Sequence, residues 1–304
     1  MNILVAFNDG YTMPTRVMLK SLIENNQEDL DIYVLYVALS DDSIKALSNL
    51  NSNTAVLHFI QIDDSKLECA PLMSFYSKEA YIRLFAQLYL PNDLERILWL
   101  DGDLIVKGEI NEFYNQSFDN ELYVAYKDMD LGDSIKKKES LGMPVDVAYI
   151  NSGVLLMNLR EIRNKVSDVV ITNYIKENSD KIEFVDQDVF NGLLYNSFKV
   201  IDTGYEYNYF ARRIRPWNKR MVYRNARIIH YVEKKPWNEG YKDYGFHLWW
   251  KYAFMTDIRY REKYKRLLFS YALAKPRRWV WMEMDKWCPK LKQWLFEKIG
   301  DKQS

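Results

Sequence analysis

The sequence predicts an α/β fold in which a largely parallel sheet is covered on both faces by helices. Three observations lead there: short apolar runs alternate with helix-period segments, the 304 residues are 48% hydrophobic, and no repeat or low-complexity linker interrupts the pattern. A chain of that length supports one large domain or two modest ones. The first strand is expected at 3–7, since the run Ile-Leu-Val-Ala-Phe stops at Asn8 and lacks the basic flank of a signal peptide. A helix follows at 14–24, a strand at 32–39, a helix at 41–50 opened by Ser40 as N-cap, and a strand at 55–62. A helix at 78–88 and strands at 96–100, 122–126 and 154–157 complete the alternation. Ligands of such sheets sit beyond the carboxyl ends of the strands.

Composition narrows the function classes. With 42 basic and 42 acidic residues the chain is no general polyphosphate binder, and no nucleic-acid partner is expected. Two cysteines, Cys69 and Cys288, suggest a reducing, cytoplasmic setting. No stretch approaches the roughly 20 apolar residues of a membrane span. The zero net charge is a cancellation: residues 259–304 hold 13 Lys/Arg against 5 Asp/Glu, a net of +8, which leaves −8 on residues 1–258. Four of the nine tryptophans, Trp279, Trp281, Trp287 and Trp294, also fall in the basic segment. Two parts are therefore expected, a catalytic domain over 1–258 and a basic, Trp-rich helical tail over 259–304.

Neither G-x-G-x-x-G nor G-x-x-x-x-G-K-[ST] occurs. The strongest local feature is Arg96-Ile-Leu-Trp-Leu-Asp-Gly-Asp103, an apolar strand that runs directly into two carboxylates separated by Gly102. Two hard oxygen ligands at a strand end suit Mg²⁺ or Mn²⁺ held against a diphosphate. The same D-x-D spacing recurs at Asp128-Met-Asp130 and Asp186-Gln-Asp188, and an acidic turn that merely solvates the sheet edge is the alternative. Of the three histidines, His58 lies within an apolar strand pattern and His247 within Phe-His-Leu-Trp-Trp. His230 follows Arg227-Ile-Ile229 and precedes Tyr231-Val-Glu-Lys-Lys-Pro-Trp237, so it is the candidate third ligand, although a structural role stays open.

Taken together, Asp101-Gly-Asp103 after Arg-Ile-Leu-Trp-Leu, Tyr149-Ile-Asn-Ser-Gly-Val-Leu-Leu-Met-Asn-Leu159, Val185-Asp-Gln-Asp188 and His230 with Lys235-Pro-Trp237 occur in the order and approximate spacing of glycosyltransferase family 8. Over residues 1 to about 250 the chain resembles that family, in particular its bacterial lipooligosaccharide α-galactosyltransferase and glucosyltransferase members. The resemblance implies a GT-A fold with a mixed, mainly parallel sheet, and metal-dependent, retaining transfer of a hexose from a UDP-sugar. It implies that Asp101, Asp103 and His230 ligate Mn²⁺, with Mg²⁺ as the alternative, and that Asn8, Tyr11, Arg83, Gly102, Asn151, Asp186 and Lys235 bind the donor. Asp128 would lie on the acceptor side, while Asp186 and Gln187 would face the donor sugar as the catalytic pair. Elementary chemistry fits these roles: a tyrosine ring is a platform for a base, and Arg83 and Lys235 suit a diphosphate-rich site. Bland alternatives are that Tyr11 staples a helix start and that Arg83 pairs with Glu79 at i−4. Family members often carry an acid at the Asn8 position, an asparagine at the Gly10 position, and a glycine where this chain has Glu233-Lys234.

Retention proceeds through a covalent glycosyl-enzyme or by same-face attack. Gln187 is an amide and a poor nucleophile, which favours same-face attack, with the acceptor proton taken by the leaving phosphate. Leu291, Trp294, Leu295 and Ile299 fall on one helical face beside Lys290, Lys292 and Glu297, a composition suited to the anionic inner face of the cell membrane. Packing of the tail on the catalytic domain is the alternative. The acceptor is expected to be a cell-envelope glycan, glycolipid or glycoprotein. A different class is a nucleotide-sugar-binding or interaction protein that keeps the fold without turnover.

Overall fold

The alternating apolar runs become the strands of one twisted layer in the computed structural model, which describes residues 1–68, 71, 78–215, 217–238, 241 and 245–274. The chain divides into two units, Met1–Gly245 and Phe246–Ser304. The first unit opens with β1 (Asn2–Ala6), α1 (Thr12–Asn25), β2 (Leu30–Tyr36), α2 (Asp41–Ser48) and β3 (Ala55–Gln61). It continues through α3 (Ile82–Phe85), β4 (Arg96–Leu100), β5 (Leu104–Val106), α4 (Asn111–Tyr114), β6 (Tyr123–Lys127), α5 (Ile135–Ser140) and β7 (Ile150–Asn158). It ends with α6 (Leu159–Lys165), α7 (Asp168–Glu177), α8 (Val185–Leu194), β8 (Phe198–Ile201), β9 (Tyr209–Phe210), α9 (Lys219–Asn225) and β10 (Ile228–His230).

Seven strands form the main sheet in the order β3-β2-β1-β4-β7-β6-β8. Every neighbouring pair is parallel except the two made by β7, which runs antiparallel to β4 and β6. The sheet is thus mixed and mainly parallel, as expected. Alternate residues feed two separate cores: Leu4, Trp99 and Leu155 face one layer, and Ile3, Val5, Leu98, Leu100 and Leu156 face the other. Burial of both faces is why these strands read as unbroken apolar runs. A second sheet, β5-β10-β9, begins immediately beyond β4 and contains the residue that follows the Asp-Gly-Asp turn.

Two expected elements differ in form. The segment 78–88 is not one helix but a 3₁₀ turn (Lys78–Tyr81), α3 and a second 3₁₀ turn (Ala86–Leu88), tighter winding being common at helix ends. Strand β7 starts at Ile150 rather than 154, because Asn151 and Ser152 are buried in the strand with their polar groups hydrogen-bonded instead of solvated. A register shift in β6 between Ala125 and Lys127 accommodates that extension. Ser40 does cap α2, its Oγ accepting from Ser43 N at 3.3 Å.

The second unit contains α10 (Phe246–Thr256) and α11 (Arg261–Ala274). The packing division after Gly245 precedes the charge boundary at residue 259, so α10 belongs to the same unit as the basic segment. Among the described residues no helix is long and apolar enough to cross a membrane. Cys69, Cys288 and the face made by Leu291, Trp294, Leu295 and Ile299 lie outside the described residues.

Helix α8 is fixed to β7 by buried charge. Asp188, fully buried, accepts from Lys137 Nζ at 2.8 Å, Tyr149 Oη at 2.6 Å, and the backbone N–H groups of Glu183 and Phe184 at 2.7 and 2.9 Å. Removing one partner of such a pair strands a charge in the core. Lys137→Met is therefore expected to lower unfolding free energy by about 3–5 kcal/mol in urea titrations followed by tryptophan fluorescence.

Candidate active site

Four backbone segments bring polar residues to one edge of the main sheet. Parallel β1, β4 and β6 end there, delivering Asn8, Asp101 and Asp128, while antiparallel β7 begins there with Asn151. The Asp101-Gly102-Asp103 turn carries the chain from β4 into β5, and β10 lies antiparallel to β5 with His230 opposite Leu104. Tyr231 N donates to Asp103 O at 3.1 Å, which holds the histidine beside the turn. As a result, one ligand atom each from Asp101, Asp103 and His230 lies within 4.8 Å of the others. His230 Nε2 stands 3.4 Å from Asp103 Oδ1 and 3.8 Å from Asp101 Oδ2.

The donor set fits a divalent cation on three counts. Two carboxylates and an imidazole match Mn²⁺ or Mg²⁺ chemistry. Asp103 Oδ1 is buried yet accepts no hydrogen bond, an expensive arrangement for an oxygen with nothing to bind. Gly153 keeps the space open: a Cβ there would collide with His230 Cε1 and stand 2.7 Å from Asp101 Oδ2. Gly102 has a similar role on the other side, where a Cβ would run into Thr15 Oγ1 of α1 and meet Tyr11 Cδ1 at 3.1 Å. Both glycines are used for close approach.

Buried cations balance these acids. Arg83 donates from Nη2 to Asp101 Oδ1 at 2.8 Å, pairs through Nε with Asp186 Oδ2 at 3.1 Å, and donates from Nη1 to Ser152 O at 2.8 Å. Its guanidinium lies 4.1 Å from the centre of the Trp99 ring, whose Nε1 donates to Asp101 Oδ1 at 2.8 Å. The alternative pairing of Arg83 with Glu79 is not found; Glu79 instead accepts from Asn8 Nδ2 at 3.3 Å. Lys235 Nζ bonds Asp103 Oδ2 and Tyr231 O. Burial alone would raise the Asp103 carboxyl, but Lys235 and His230 outweigh it and hold that group well below the usual carboxylate range. Asp186 goes the other way: burial pushes it up to about 7, against the pull of Arg83 and helped by the charge on Asp101.

A second layer of amides adjoins the carboxylates. Asn151 Nδ2 donates to Asp128 Oδ2 and to Gln187 Oε1, both at 3.0 Å, and Gln187 Oε1 also accepts from Ser152 N at 3.2 Å. Gln187 Nε2 reaches Tyr149 Oη at 3.2 Å and Asp128 Oδ2 at 3.4 Å, so both ends of this amide are in use. Val185, just before Asp186, has φ of 41°, a left-handed conformation unusual for a β-branched residue, at the point where the chain turns both side chains inward. Tyr11 meets the Trp237 ring edge-on at 5.8 Å between centroids. The structure therefore brings together Asp101, Gly102, Asp103, His230, Arg83, Asp186 and Lys235, links Asp128, Asn151 and Gln187 beside them, and places Tyr11 against Gly102. Asn8 is joined to this end through Glu79.

The remaining histidines are elsewhere. His58 Nε2 lies 2.8 Å from Asp31 Oδ1, with its ring stacked on Tyr33, and His247 contacts Phe246 in the second unit. Residues missed by sequence reading are Trp99, Ser152 and Asn208, whose Oδ1 lies 3.0 Å from His230 Nδ1. Of these, Trp99 and Ser152 stand inside recognised motifs and Asn208 in none. Where family members often carry a glycine, Glu233 adopts φ of 62°, a glycine-like conformation, and its carboxylate pairs with Arg212.

Overpacking the cradle tests its function. Gly153→Ala is expected to weaken divalent-cation binding in isothermal titration calorimetry while costing about 1–3 kcal/mol of stability, since the added methyl enters the space between His230 and Asp101.

Comparison with known proteins bears on the fold and the family. The chain is 24% identical over 294 residues to the lipopolysaccharide 1,2-glucosyltransferase of Escherichia coli, covering 88% of this chain and 86% of that protein. It is likewise 24% identical over 255 residues to the lipopolysaccharide 1,3-galactosyltransferase of Salmonella typhimurium, covering 78% and 73%. Its fold matches the crystal structure of the galactosyltransferase LgtC in complex with donor and acceptor sugar analogs, with a TM-score of 0.74, 23% identity, and coverage of 83% of this chain and 95% of that one. The architecture is therefore of the GT-A type. Residues 2–240 match the model of glycosyl transferase family 8, and the chain belongs to that family.

Proposed function

We propose that this chain is a retaining, metal-dependent hexosyltransferase that moves glucose or galactose from a UDP-sugar to a cell-envelope glycan, glycolipid or glycoprotein acceptor. The observation that carries the reading is the convergence of Asp101, Asp103 and His230, with a buried carboxylate oxygen left unbonded, at the strand-end edge of a family 8 chain. Mn²⁺ is the preferred cation because one of the three ligands is an imidazole. Asp101, Asp103 and His230 would hold such a cation, which would supply charge neutralisation to the diphosphate leaving group.

The protein's own groups do the rest. Lys235, now held by Asp103, exchanges that partner for a diphosphate oxygen, and Tyr11 with Asn8 receives the uracil. Arg83 keeps Asp101 and Asp186 in register, so that Asp186 positions the sugar hydroxyls. Same-face attack is favoured because the groups nearest the sugar are poor nucleophiles: Gln187 is an amide bonded at both ends, and Asp186 is paired with Arg83 and raised towards neutrality. The acceptor oxygen bonds to the anomeric carbon as the bond to the phosphate oxygen breaks, and the acceptor proton leaves on that phosphate. Asp128, on the acceptor side, aligns the incoming hydroxyl.

Purified chain is expected to hydrolyse or transfer from UDP-glucose or UDP-galactose in the presence of Mn²⁺, and Asp103→Ala to abolish this with circular dichroism unchanged. Binding of every UDP-sugar tested without turnover would favour the alternative of a nucleotide-sugar-binding protein.

The basic segment points to a cytoplasmic enzyme held on an anionic membrane face. Ile258 and Phe269 are exposed in the second unit beside Arg259, Arg261, Lys265 and Arg266. Removal of residues 259–304 is expected to abolish cosedimentation with phosphatidylglycerol-containing liposomes; unchanged cosedimentation would refute membrane attachment by the tail.

A further inference from the structure

We infer that Asn208 is a positioning residue that fixes the tautomer of His230, keeping the proton on Nδ1 and a lone pair on Nε2 directed at Asp101 and Asp103. This deepens the cation-site reading and rests on it for its functional meaning. Asn208 and His230 are both buried, so neighbouring protein groups bear directly on the proton's position.

The argument begins two residues away, at Asn151, whose amide orientation is set by groups with only one possible role. Gly153 N–H can only donate, and does so to Asn151 Oδ1 at 3.1 Å. The Asp128 carboxylate accepts, and takes Asn151 Nδ2 at 3.0 Å on Oδ2 while its Oδ1 receives the N–H groups of Asp130 and Leu131, each at 2.9 Å. Asn151 therefore presents a carbonyl to Asn208, and the Asn208 atom 2.9 Å from it must be the donor Nδ2. The other end of Asn208, its carbonyl Oδ1, then faces His230 Nδ1 at 3.0 Å. A carbonyl cannot donate, so Nδ1 carries hydrogen, and in the neutral ring Nε2 does not.

The consequence is electrostatic. An Nε2–H would hydrogen-bond Asp103 Oδ1, 3.4 Å away, and close the cluster on itself. The Asp128-Asn151-Asn208 relay opposes that tautomer by placing two acceptors, Nδ1 and Oδ1, face to face. In the neutral ring a lone pair is instead held against two carboxylates, an arrangement that a cation among them relieves. Partners at the remote ring nitrogen commonly tune metal-ligating histidines in this way.

The test uses the full chain with ¹⁵N-labelled histidine, of which there are three, His230 being identified by the signal lost in His230→Gln. Two-bond ¹⁵N–¹H correlation spectra of the metal-free protein, at alkaline pH where imidazole is neutral, are expected to show the Nδ1–H ring for His230. Asn208→Asp retains the acceptor towards Nδ1 but loses the donor towards Asn151 Oδ1, and is expected to keep Nδ1 protonated. Asn208→Leu admits the Nε2–H ring and lowers Mn²⁺ affinity by calorimetry about 10–100-fold. An Nε2–H ring in the wild type overturns the inference, and needs no variant to fold. An Nδ1–H ring that persists in Asn208→Leu also overturns it, since another group then sets the tautomer. An Nδ1–H ring in a wild type that binds no Mn²⁺ would leave the tautomer assignment standing and refute the cation-site reading.

Discussion

Burying several carboxylates at one sheet edge is the constraint on which the rest of the site depends. Asp103 and Asp186 are almost wholly withdrawn from water, and Asp101 is only partly exposed beside them. Uncompensated, such a group sheds its charge or unfolds the site. Arg83 answers the problem by bridging Asp101 and Asp186 from beneath while its flat guanidinium covers Trp99. Lys235 answers it from the loop after β10 by bonding Asp103. The two cations are not equivalent: Arg83 is enclosed and tied to the backbone of Ser152, whereas Lys235 is more exposed and free to change partner.

The small sheet is what converts a strand-end acidic turn into a three-ligand cluster. Without β10 beside β5, His230 would have no reason to lie near Asp103, because nothing in local geometry joins them. Strand β7 contributes from the opposite side. Its antiparallel direction lets one strand's beginning, Asn151-Ser152-Gly153, meet another's end, Asp101, and Asp101 N donates to Gly153 O at 2.9 Å. The backbone thus approaches the carboxylates so closely that only a residue without a side chain fits at 153.

The departures from the family pattern are compensated locally. Glu233 retains the positive φ that a glycine would take more cheaply, and Arg212 pairs with its carboxylate as well as with Asp130. Asn8 supplies an amide where an acid is common, and Glu79 accepts from it.

How much was legible in the sequence follows from which interactions are local. Period-2 and period-3.6 patterns specified the α/β alternation, and the Ser40 cap was readable because its partner is three residues away. The Asp-Gly-Asp turn was visible because an apolar strand runs straight into it, and four ordered motifs were enough for the family. Strand β7 was read four residues short because its buried polar start imitates a loop; only the tertiary structure supplies the partners that make such burial affordable. The pairing of Arg83 with Asp101 and Asp186 rather than Glu79, and the place of Asn208 behind His230, were likewise decided by distant contacts. Sequence alone determined which chemical groups the protein possesses and which elements carry them. The fold decided which of those groups meet, because hydrogen bonds and ion pairs between remote strands depend on sheet order and register, and these leave no periodic trace in the chain.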